Sequence, residues 1–480
     1  MNGDVRPSIL QESPLDKRPV APKLPVKEEA HHWVPSRYNV RSHTKDGRMI
    51  LWNTLRGAMS VFPAEQALEI TPLLSQKGFE GIPQGLAKYL ADRGFLVKKG
   101  VNEYRQFQYI FGQQHYRSNV LELFLLPSED CNFRCKYCYE KFTRGTMRPE
   151  VRQGVMKMVE KRIKNLNYLY VSWFGGEPLY GWTAIEEMGP YLADVAAKHQ
   201  VPYNSSMTTN GYLLTPERAE KLLAWKVNFF QITLDGPPQF HDCSRPGRDG
   251  SGTFATIVEN LKSLSQRKDD FGVLLRVNYG PENHAHMDEL FQIIKREVGL
   301  DPRFRFQFHS VGKWGGANDD KLQVCGADRH EIQARLNAAA NSYGLNVGTL
   351  KNTSFPGQQV CYAARPYNFI IGADGQIMKC TLVLDDDDRN MLGHITPEGE
   401  MVIDADKMAL WTEPSHEGDS QCQKCVMLPT CQGLHCPWVR MEENRSPCTP
   451  TRRNFKRQLV EAVEYHKGGG RKKQIPVTAR

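Results

Sequence analysis

The sequence predicts an α/β fold for its central region, with a small α+β segment before it and a loop-rich, cysteine-rich segment after it. Three observations support this. Between residues 120 and 311, short apolar runs alternate with helical patterns, and repeated β/α units imply parallel strands with right-handed crossovers. Residues 36–112 instead place strands before helices. Residues 355–450 hold seven cysteines and little apolar periodicity.

The N-terminal region divides into an arm and a small α+β domain. Residues 1–35 contain six prolines and several charges, which predicts a flexible arm. The domain at 36–112 has two strand-like runs on either side of the turn Lys45-Asp46-Gly47, then two helical patterns and a final strand. The predicted strands are 37–42, 48–61 and 94–97, and the predicted helices are 64–76 and 83–93.

The central region at 118–320 contains six β/α units, which form either an incomplete barrel or an open sheet. Its predicted strands are 120–126, 169–174, 202–208, 229–234, 273–277 and 304–308. Helices are expected at 151–166, 182–198 and 215–225. Chemistry in such folds lies at the carboxyl ends of the strands. Residues 321–354 are predicted to be a helical connector, and 451–480 a helix at 454–466 followed by a basic tail.

Composition excludes several classes of protein. With 40% apolar and 24% charged residues, the chain is not globally disordered. No apolar run approaches the roughly 20 residues that span a bilayer, and no signal peptide is visible, so we expect a cytoplasmic protein without membrane contact. The net charge of +8 is too mild to imply nucleic acid. Ten of the twelve cysteines fall into two groups, which in a reducing compartment indicates metal binding.

The first cysteine group follows the first predicted strand of the central region. Cys131, Cys135 and Cys138 have the spacing C-x3-C-x2-C. Three thiolates on one loop can each bind one iron of a [4Fe–4S] cluster and leave the fourth iron open to a small molecule. The alternative is zinc, which requires four ligands, and no fourth cysteine is near in sequence.

This group, with the aromatic Tyr137 before its last cysteine, resembles the signature of radical S-adenosylmethionine (SAM) enzymes. The resemblance implies a partial (β/α)6 barrel and a one-electron donor such as flavodoxin or ferredoxin. In that family the open iron binds the amino and carboxylate groups of SAM. The reduced cluster then cleaves the S–C5′ bond, and a 5′-deoxyadenosyl radical abstracts hydrogen from the substrate.

Three more segments resemble SAM-binding blocks of that family. The second strand ends in the sequence Gly175, Gly176, Glu177 and Pro178, and the family's GGEP loop binds the methionine amino group. The third and fourth strands end in T-N-G and D-G blocks, the latter followed by His241, Asp242 and Arg245. The resemblance makes Asn210, Asp235 and Arg245 candidates for contacts with SAM or substrate. The alternative is turn formation and capping, which Asn-Gly and Asp-Gly commonly perform.

The second cysteine group resembles the SPASM extension of radical SAM enzymes. The resemblance implies one auxiliary [4Fe–4S] cluster on Cys422, Cys425, Cys431 and Cys448, and another on Cys361, Cys380 and Cys436. Four residues separate Cys431 from Cys436, where the family pattern has three. The fourth ligand of the second cluster is either Cys325 or absent, and zinc is the alternative for the Cys422–Cys425 pair. Cys243 and Cys325 are otherwise expected to be buried structural thiols.

Three functions are compatible with these two cysteine groups. The first is maturation of a ribosomally made peptide by a thioether or carbon–carbon cross-link. The second is conversion of a sulfatase residue to formylglycine, a branch that usually has Asp directly after the cysteine matching Cys380. Here that residue is Thr381, and the acidic run 385–388 is typical of a solvated turn. The third is a non-catalytic iron–sulfur or zinc module, which the complete C-x3-C-x2-C and GGEP sequences disfavour.

The N-terminal domain favours the first function. Its order of elements loosely resembles the winged-helix recognition element of peptide maturases, which binds the leader of a precursor peptide as an added strand. The alternative is a small domain that caps the barrel. We therefore expect a precursor peptide with a leader as the partner.

Overall fold

The computed structural model describes residues 31–75, 77–347, 355–384, 387–449 and 451–467. The predicted arm before residue 31, the tail after 467 and the end of the predicted connector at 348–354 lie outside the described residues. Contacts divide the described chain into two compact units. Unit one contains the described residues of 31–116, 355–365 and 412–467, and unit two those of 117–347 and 366–411.

Strands occur in both units. In the described part of the chain they are β1 (His31–Pro35), β2 (Asn39–His43), β3 (Met49–Asn53), β4 (Met59–Phe62), β5 (Phe79–Gly81), β6 (Leu96–Lys98), β7 (Val120–Ser128), β8 (Tyr168–Gly175), β9 (Tyr203–Thr209), β10 (Val227–Thr233), β11 (Gly272–Tyr279), β12 (Phe304–Ser310), β13 (Asn346–Val347), β14 (Asn368–Ile371), β15 (Gln376–Met378), β16 (Gly393–Ile395) and β17 (Met401–Ile403).

The helices alternate with the strands in unit two and surround them in unit one. In the described ranges they are α1 (Ala64–Leu73), α2 (Gly85–Asp92), α3 (Glu103–His115), α4 (Pro149–Arg162), α5 (Trp182–Lys198), α6 (Pro216–Ala224), α7 (Pro238–Ser244), α8 (Phe254–Ser265), α9 (Met287–Glu297), α10 (Arg329–Ser342), α11 (Ala405–Thr412), α12 (Ser420–Lys424), α13 (Leu428–Cys431), α14 (Pro437–Glu443) and α15 (Thr451–Lys467). None of these helices is both long and apolar enough to cross a membrane.

Unit two is built on one large sheet with the strand order β13-β12-β11-β10-β9-β8-β7-β14-β15-β16-β17. Strands β7 to β12 pair in parallel and in chain order, and a helix follows each of them. This is the predicted (β/α)6 arrangement, and each strand end lies within two residues of its predicted position. Beyond β7, β14 adds in parallel and β15 to β17 continue as an antiparallel meander.

On β12, buried apolar residues alternate with polar residues, so the two faces of this strand differ. On β12, Phe304, Phe306 and Phe308 are buried, and the ring of Phe291 on α9 contacts the last two. Because successive side chains of a strand point to opposite faces, Arg305, Gln307 and His309 lie on the side away from this helix. The face of β12 that lies away from α9 is therefore polar.

Unit one joins N-terminal and C-terminal parts of the chain in shared apolar clusters. The sheet β2-β3-β4 packs one face against α1 and α2 through Met49, Leu51 and Phe62. Its other face, with Val40, Ile50 and Trp52, packs against Leu459 and Val463 of α15. A third cluster combines Tyr38, Phe107 and Phe111 with Leu428 and Leu434. A second sheet has the order β5-β1-β6.

The structure corrects three expectations from the sequence. His31–Pro35, assigned to the flexible arm, is a strand because β5 and β6 supply backbone partners on both sides. The predicted strand 48–61 is two strands, because the Gly57 N–H donates to the Asn53 carbonyl at 2.8 Å and Gly57 adopts φ +70°. Helix α3 was not predicted; its N-cap is Asn102, whose side chain accepts from the Arg105 N–H.

The segment 355–450 shares its buried residues with other parts of the chain. Its residues Leu428 and Leu434 are buried against aromatic side chains of α3, while β14 to β17 belong to the large sheet of unit two. The two units thus cross the predicted limits 36–112, 118–320 and 355–450, which remain predictions about independently folding domains.

Candidate functional site

The first cysteine loop leaves the sheet at the carboxyl end of β7. Cys131 is buried, and its sulfur accepts a hydrogen bond from the Phe133 N–H at 3.3 Å. The Asn210 amide, at the end of the third strand of the barrel, lies 3.8 Å from the same sulfur. The Cys138 N–H donates to the Cys135 carbonyl at 3.1 Å, which folds the loop back on itself. The three cysteines therefore lie where such folds place their chemistry.

The thiols of this loop need a cation to ionise. Burial raises the pKa of all three, that of Cys138 to about 12, and the neighbouring charge of Glu177 raises the pKa of Cys131 further. Bound iron reverses this penalty, because metal ligation is a bond to the thiolate. A donor set of one buried and two half-buried cysteines, with N–H donors to one sulfur, suits an iron–sulfur cluster.

A single metal ion would require a tighter group of ligands. In a zinc site with Zn–S bonds of about 2.3 Å, neighbouring sulfurs lie about 3.8 Å apart. Across the described ranges, no three His, Cys, Asp or Glu side chains are gathered in a way that could hold one ion. A cubane cluster requires larger distances between the cysteine sulfurs, because each cysteine binds a different iron.

The GGEP segment packs against the start of the cysteine loop. Gly175 adopts φ +121°, and a Cβ there would lie 2.2 Å from the Ser128 carbonyl oxygen. A Cβ on Gly176 would lie 2.7 Å from the Asp130 carbonyl oxygen. Pro178 opens a short 3-10 turn that leads into α5. Only glycines permit this approach of two backbones, so both positions shape the site.

Glu177 joins the second and third strand ends. Its carboxylate is fully buried and accepts hydrogen bonds from the Thr209 hydroxyl at 2.7 Å, the Asn210 N–H at 2.7 Å and the Leu179 N–H at 3.0 Å. Burial raises its pKa, and these donors act in the opposite direction. Since a carboxylate has about four acceptor positions, three donors leave room for one more, such as an ammonium group. The predicted contact of Glu177 with SAM remains a prediction.

Tyr137, Asp235 and Arg245 form one buried hydrogen-bond network. The Tyr137 hydroxyl donates to the Asp235 carboxylate and accepts from Arg245 Nη1 at 2.6 Å. The side-chain amide of Asn278 also donates to this hydroxyl at 3.0 Å, and its backbone N–H donates to Asp235 Oδ1 at 3.0 Å. Burial raises the pKa of Tyr137 well above its ordinary value, so the phenol stays neutral.

One donor of this network has no partner. Arg245 is buried, and its Nε has no hydrogen-bond acceptor among the described residues. A buried donor without an acceptor is costly, which indicates a site for a ligand acceptor such as a carboxylate. SAM carries a carboxylate, so the residues present fit this cofactor.

Asn278 was missed by the sequence analysis. It lies at the end of β11, directly after the predicted strand 273–277, and so at the same edge as the other strand-end residues. Its position after a predicted strand was the available signal. His241, by contrast, was part of the predicted block: its Nδ1 accepts from the Asp235 N–H at 3.1 Å, which makes it a support for Asp235.

Most of the second cysteine group lies in unit one. Cys422, Cys425, Cys431 and Cys448, which were expected to share one cluster, line a single cavity together with Thr449 and Arg452. Burial raises the pKa of Cys422 to about 11 and that of Cys431 to about 12. The Thr449 hydroxyl is buried and has no partner among the described residues, so it is a free donor at this cavity. The residues present fit a [4Fe–4S] cluster.

The other three auxiliary cysteines are divided between the units. The Cys361 N–H donates to the Leu434 carbonyl at 2.9 Å. Leu434 precedes Cys436 by two residues, so Cys361 and Cys436 belong to neighbouring segments of unit one. Cys380 belongs to unit two, where its N–H donates to the Asn390 side chain at 2.9 Å. Their shared cluster remains a prediction. Of the two spare thiols, Cys325 is buried as expected, but Cys243 is exposed and accepts from Lys136 Nζ at 2.9 Å.

Comparisons with known proteins agree with this geometry. Residues 125–294 match the family model described as the Radical SAM superfamily. The chain is 27% identical over 248 residues to the radical SAM cyclopropyl synthase TigE of Paramaledivibacter caminithermalis, a match that covers 45% of this chain and 50% of TigE. It therefore spans about half the length of that relative.

Two further matches cover more of the chain. The serine-type anaerobic sulfatase-maturating enzyme of Klebsiella aerogenes is 24% identical over 332 residues, 64% of this chain and 77% of that protein. The solved structure of native anSMEcpe with bound AdoMet and Cp18Cys peptide has a TM-score of 0.52 at 19% identity and covers 72% of this chain and 97% of that chain. At this identity the likeness concerns the fold.

Proposed function

Residues 125–294 form a radical SAM domain, a type that uses a [4Fe–4S] cluster and SAM, and on this premise we propose that the protein matures a ribosomally made precursor peptide by installing a cross-link. The cross-link is a thioether or a carbon–carbon bond. The observation that carries the proposal is the buried strand-end network of Tyr137, Asp235 and Arg245 beside the three-cysteine loop, with the Arg245 Nε left without a partner.

The residues of the site divide the work between holding the cluster and holding SAM. Cys131, Cys135 and Cys138 each bind one iron, and the N–H donors at Cys131 stabilise its thiolate. When bound, the cluster and SAM together supply a 5′-deoxyadenosyl radical that abstracts hydrogen from the substrate. Glu177 accepts from the amino group of SAM, and Arg245 donates to its carboxylate.

The remaining groups keep that site ordered and dry. Asp235 and Asn278 fix the Tyr137 hydroxyl, so the ring of Tyr137 has one orientation next to its cysteine neighbours. The close packing of Gly175 and Gly176 on the cysteine loop leaves no space for water between the two backbones. Excluding water protects a reactive radical from side reactions.

Peptide substrates are supported by two features of the chain. Several relatives are named as enzymes that mature a sulfatase, which is a protein, and the similar solved structure of anSMEcpe holds a bound peptide. In addition, unit one offers sheet edges at β5 and β6, where a leader can add as a strand. A one-electron donor such as flavodoxin or ferredoxin completes the system.

Sulfatase maturation is the second candidate function, because several relatives carry that name. The residue after Cys380 opposes it. The formylglycine branch usually has Asp at this position as a general base, and this chain has the buried Thr381, whose hydroxyl is a poor base at neutral pH.

The test is anaerobic reconstitution followed by mass spectrometry. Three filled cluster sites predict about twelve irons per chain. The loaded protein is incubated with SAM, a reductant and either the peptide encoded next to its gene or a sulfatase peptide. Loss of two hydrogen atoms from the first peptide supports a cross-link. Formylglycine in the second supports the alternative, and no 5′-deoxyadenosine with either peptide overturns both.

A further inference from the structure

A positively charged side chain, that of Arg452, lies at the cavity lined by Cys422, Cys425, Cys431 and Cys448 in unit one. Arg452, in the first turn of α15, donates a hydrogen bond from Nη1 to the Cys448 sulfur at 2.7 Å. Within the ranges described, Arg452 has no carboxylate partner. The charged donor is therefore directed at the thiol and not at an ordinary ion pair.

The position of Arg452 is determined by the packing of its helix. Three turns of α15 cover one face of the sheet β2-β3-β4, where the ring of Phe455 contacts Trp52 at 6.2 Å and Leu459 is buried. The Ser42 hydroxyl donates to the Lys456 carbonyl. Because the rest of the helix packs against the sheet in this way, the exposed Arg452 side chain reaches the Cys448 sulfur from a helix with a packed position.

A second donor reaches the same cavity. The buried Thr449 hydroxyl has no partner among the described residues, and it follows Cys448 directly in the chain. The positive charge of Arg452 thus lies beside one cysteine ligand of the cavity, and Thr449 adds an unpartnered hydroxyl to the same lining. Cubane clusters gain negative charge on reduction, and hydrogen bonds to their sulfurs favour the reduced form.

We propose that Arg452 is a positioning residue for the auxiliary cluster on Cys422, Cys425, Cys431 and Cys448, and that its contact with Cys448 raises the reduction potential of that cluster. The inference rests on the proposed function, since it requires that these four cysteines hold a cluster. It makes this cluster a better electron acceptor than it would be without the arginine. The chain thus uses the helix that braces its N-terminal sheet to set an electronic property of its C-terminal cluster.

The test is a redox titration monitored by electron paramagnetic resonance (EPR). The variants are prepared in a background with Cys131, Cys135 and Cys138 changed to Ala, so that only auxiliary clusters contribute. Arg452→Met removes the donor and the charge, and Arg453→Met is the matched control, because Arg453 is exposed and adjacent. We expect Arg452→Met to lower the midpoint potential of one cluster by the equivalent of about a tenfold change in its reduction equilibrium, about 59 mV for one electron. Arg453→Met should leave it near the parent value.

Two further variants separate the possible failures. Arg452→Lys keeps the charge without the planar donor fork and should give an intermediate potential, and it replaces Arg452→Met if that variant loses iron. Changing Cys422, Cys425, Cys431 and Cys448 together to Ala should remove about four irons, because no cysteine ligand of this cavity is then left. If this quadruple variant binds as much iron as its parent, no cluster lies there and the cluster assignment fails together with the inference. If it loses the iron but Arg452→Met shifts the potential no more than Arg453→Met, the inference alone is wrong.

Discussion

The Glu177 carboxylate accepts a hydrogen bond of 2.7 Å from the backbone N–H of Asn210, and this contact ties the end of the second barrel strand to the end of the third. The sequence suggested that Glu177 is a ligand for the amino group of SAM. In the structure it is an internal acceptor for three donors of the protein. A substitution there will affect stability as well as binding, and the two effects need separate measurements.

Changing Glu177→Gln should destabilise unit two by about 1–3 kcal/mol, because the new amide NH2 faces donors that then lack an acceptor. Binding of SAM should also weaken. Urea unfolding gives the first effect, and equilibrium binding of SAM to the reconstituted protein gives the second. The control is Glu186→Gln, an exposed glutamate paired with Lys221, which should change neither. A stable Glu177→Gln protein would show that the three donors find other acceptors.

Changing Cys131, Cys135 and Cys138 together to Ala should remove about four irons per chain and abolish cleavage of SAM, since no other described cysteine lies on that loop. Iron analysis and chromatography of 5′-deoxyadenosine measure the two effects. Cys243→Ala is the control, because this thiol is exposed and belongs to neither cysteine group. Continued cleavage of SAM by the triple variant would mean that the active-site assignment is wrong.

The sequence was sufficient for the parallel strands and insufficient for the packing of the chain ends. Most of the parallel strands are short apolar or alternating segments followed by a turn-forming residue such as Gly, Asn, Asp or Pro, so their limits are local information, as at Tyr168–Gly175. The contact of Leu428 with Phe107 joins residues far apart in sequence, and no local pattern reports it. The same holds for Asn278, whose role depends on the position of the Tyr137 hydroxyl.

Changing Phe107→Ala should destabilise unit one by about 3–5 kcal/mol, since this ring is almost fully buried between α3 and the segment of the second cysteine group. Loss of auxiliary iron on gel filtration should accompany it, because the cavity of the four cysteines belongs to the same unit. Tyr109→Ala on the same helix is the control, as its side chain is 67% exposed. Equal thermal stability of the two variants would show that α3 is not a core element.

Stability should fall as the pH drops below the ordinary titration range of histidine. His241 is fully buried, its Nδ1 accepts from the Asp235 N–H, and burial together with the charge of Arg245 lowers its pKa well below the usual value. The unfolded chain takes up a proton near pH 6.5 and the folded one does not, so this residue stabilises the fold above that pH and the contribution is lost on acidification. The parent should lose up to about 1.4 kcal/mol per pH unit more than His241→Gln in this window. Parallel urea titrations between pH 7 and pH 5 measure it, and equal slopes would contradict the assignment.

Leader binding cannot be tested by deleting 36–112, because Leu55 and Phe107 in this range form the core that also buries Leu428. The edge strand β5 offers a milder change. The Lys99 N–H donates to the His32 carbonyl, so His32 directs its backbone groups toward β6 and away from β5. Since Glu80 is the partner of His32 in the antiparallel register, the N–H and carbonyl of Glu80 point to the open edge.

Glu80→Pro should therefore remove one backbone donor from the open edge without breaking the pairing of β5 with β1. If the leader adds as a strand at β5, modification of the precursor should slow at low peptide concentration and recover at high concentration, because only binding energy is lost. Cleavage of SAM without peptide should continue at the parent rate, since that machinery lies in unit two. Glu80→Ala is the matched control: it removes the same side chain, including its contact with His32, but keeps the N–H.

The decisive measurement is the KM for the peptide, together with kcat compared at saturating peptide. Equal KM values for Glu80→Pro and Glu80→Ala would exclude β5 as the leader-binding edge, and a fall in kcat alone would place the defect in the fold of unit one instead of in peptide binding.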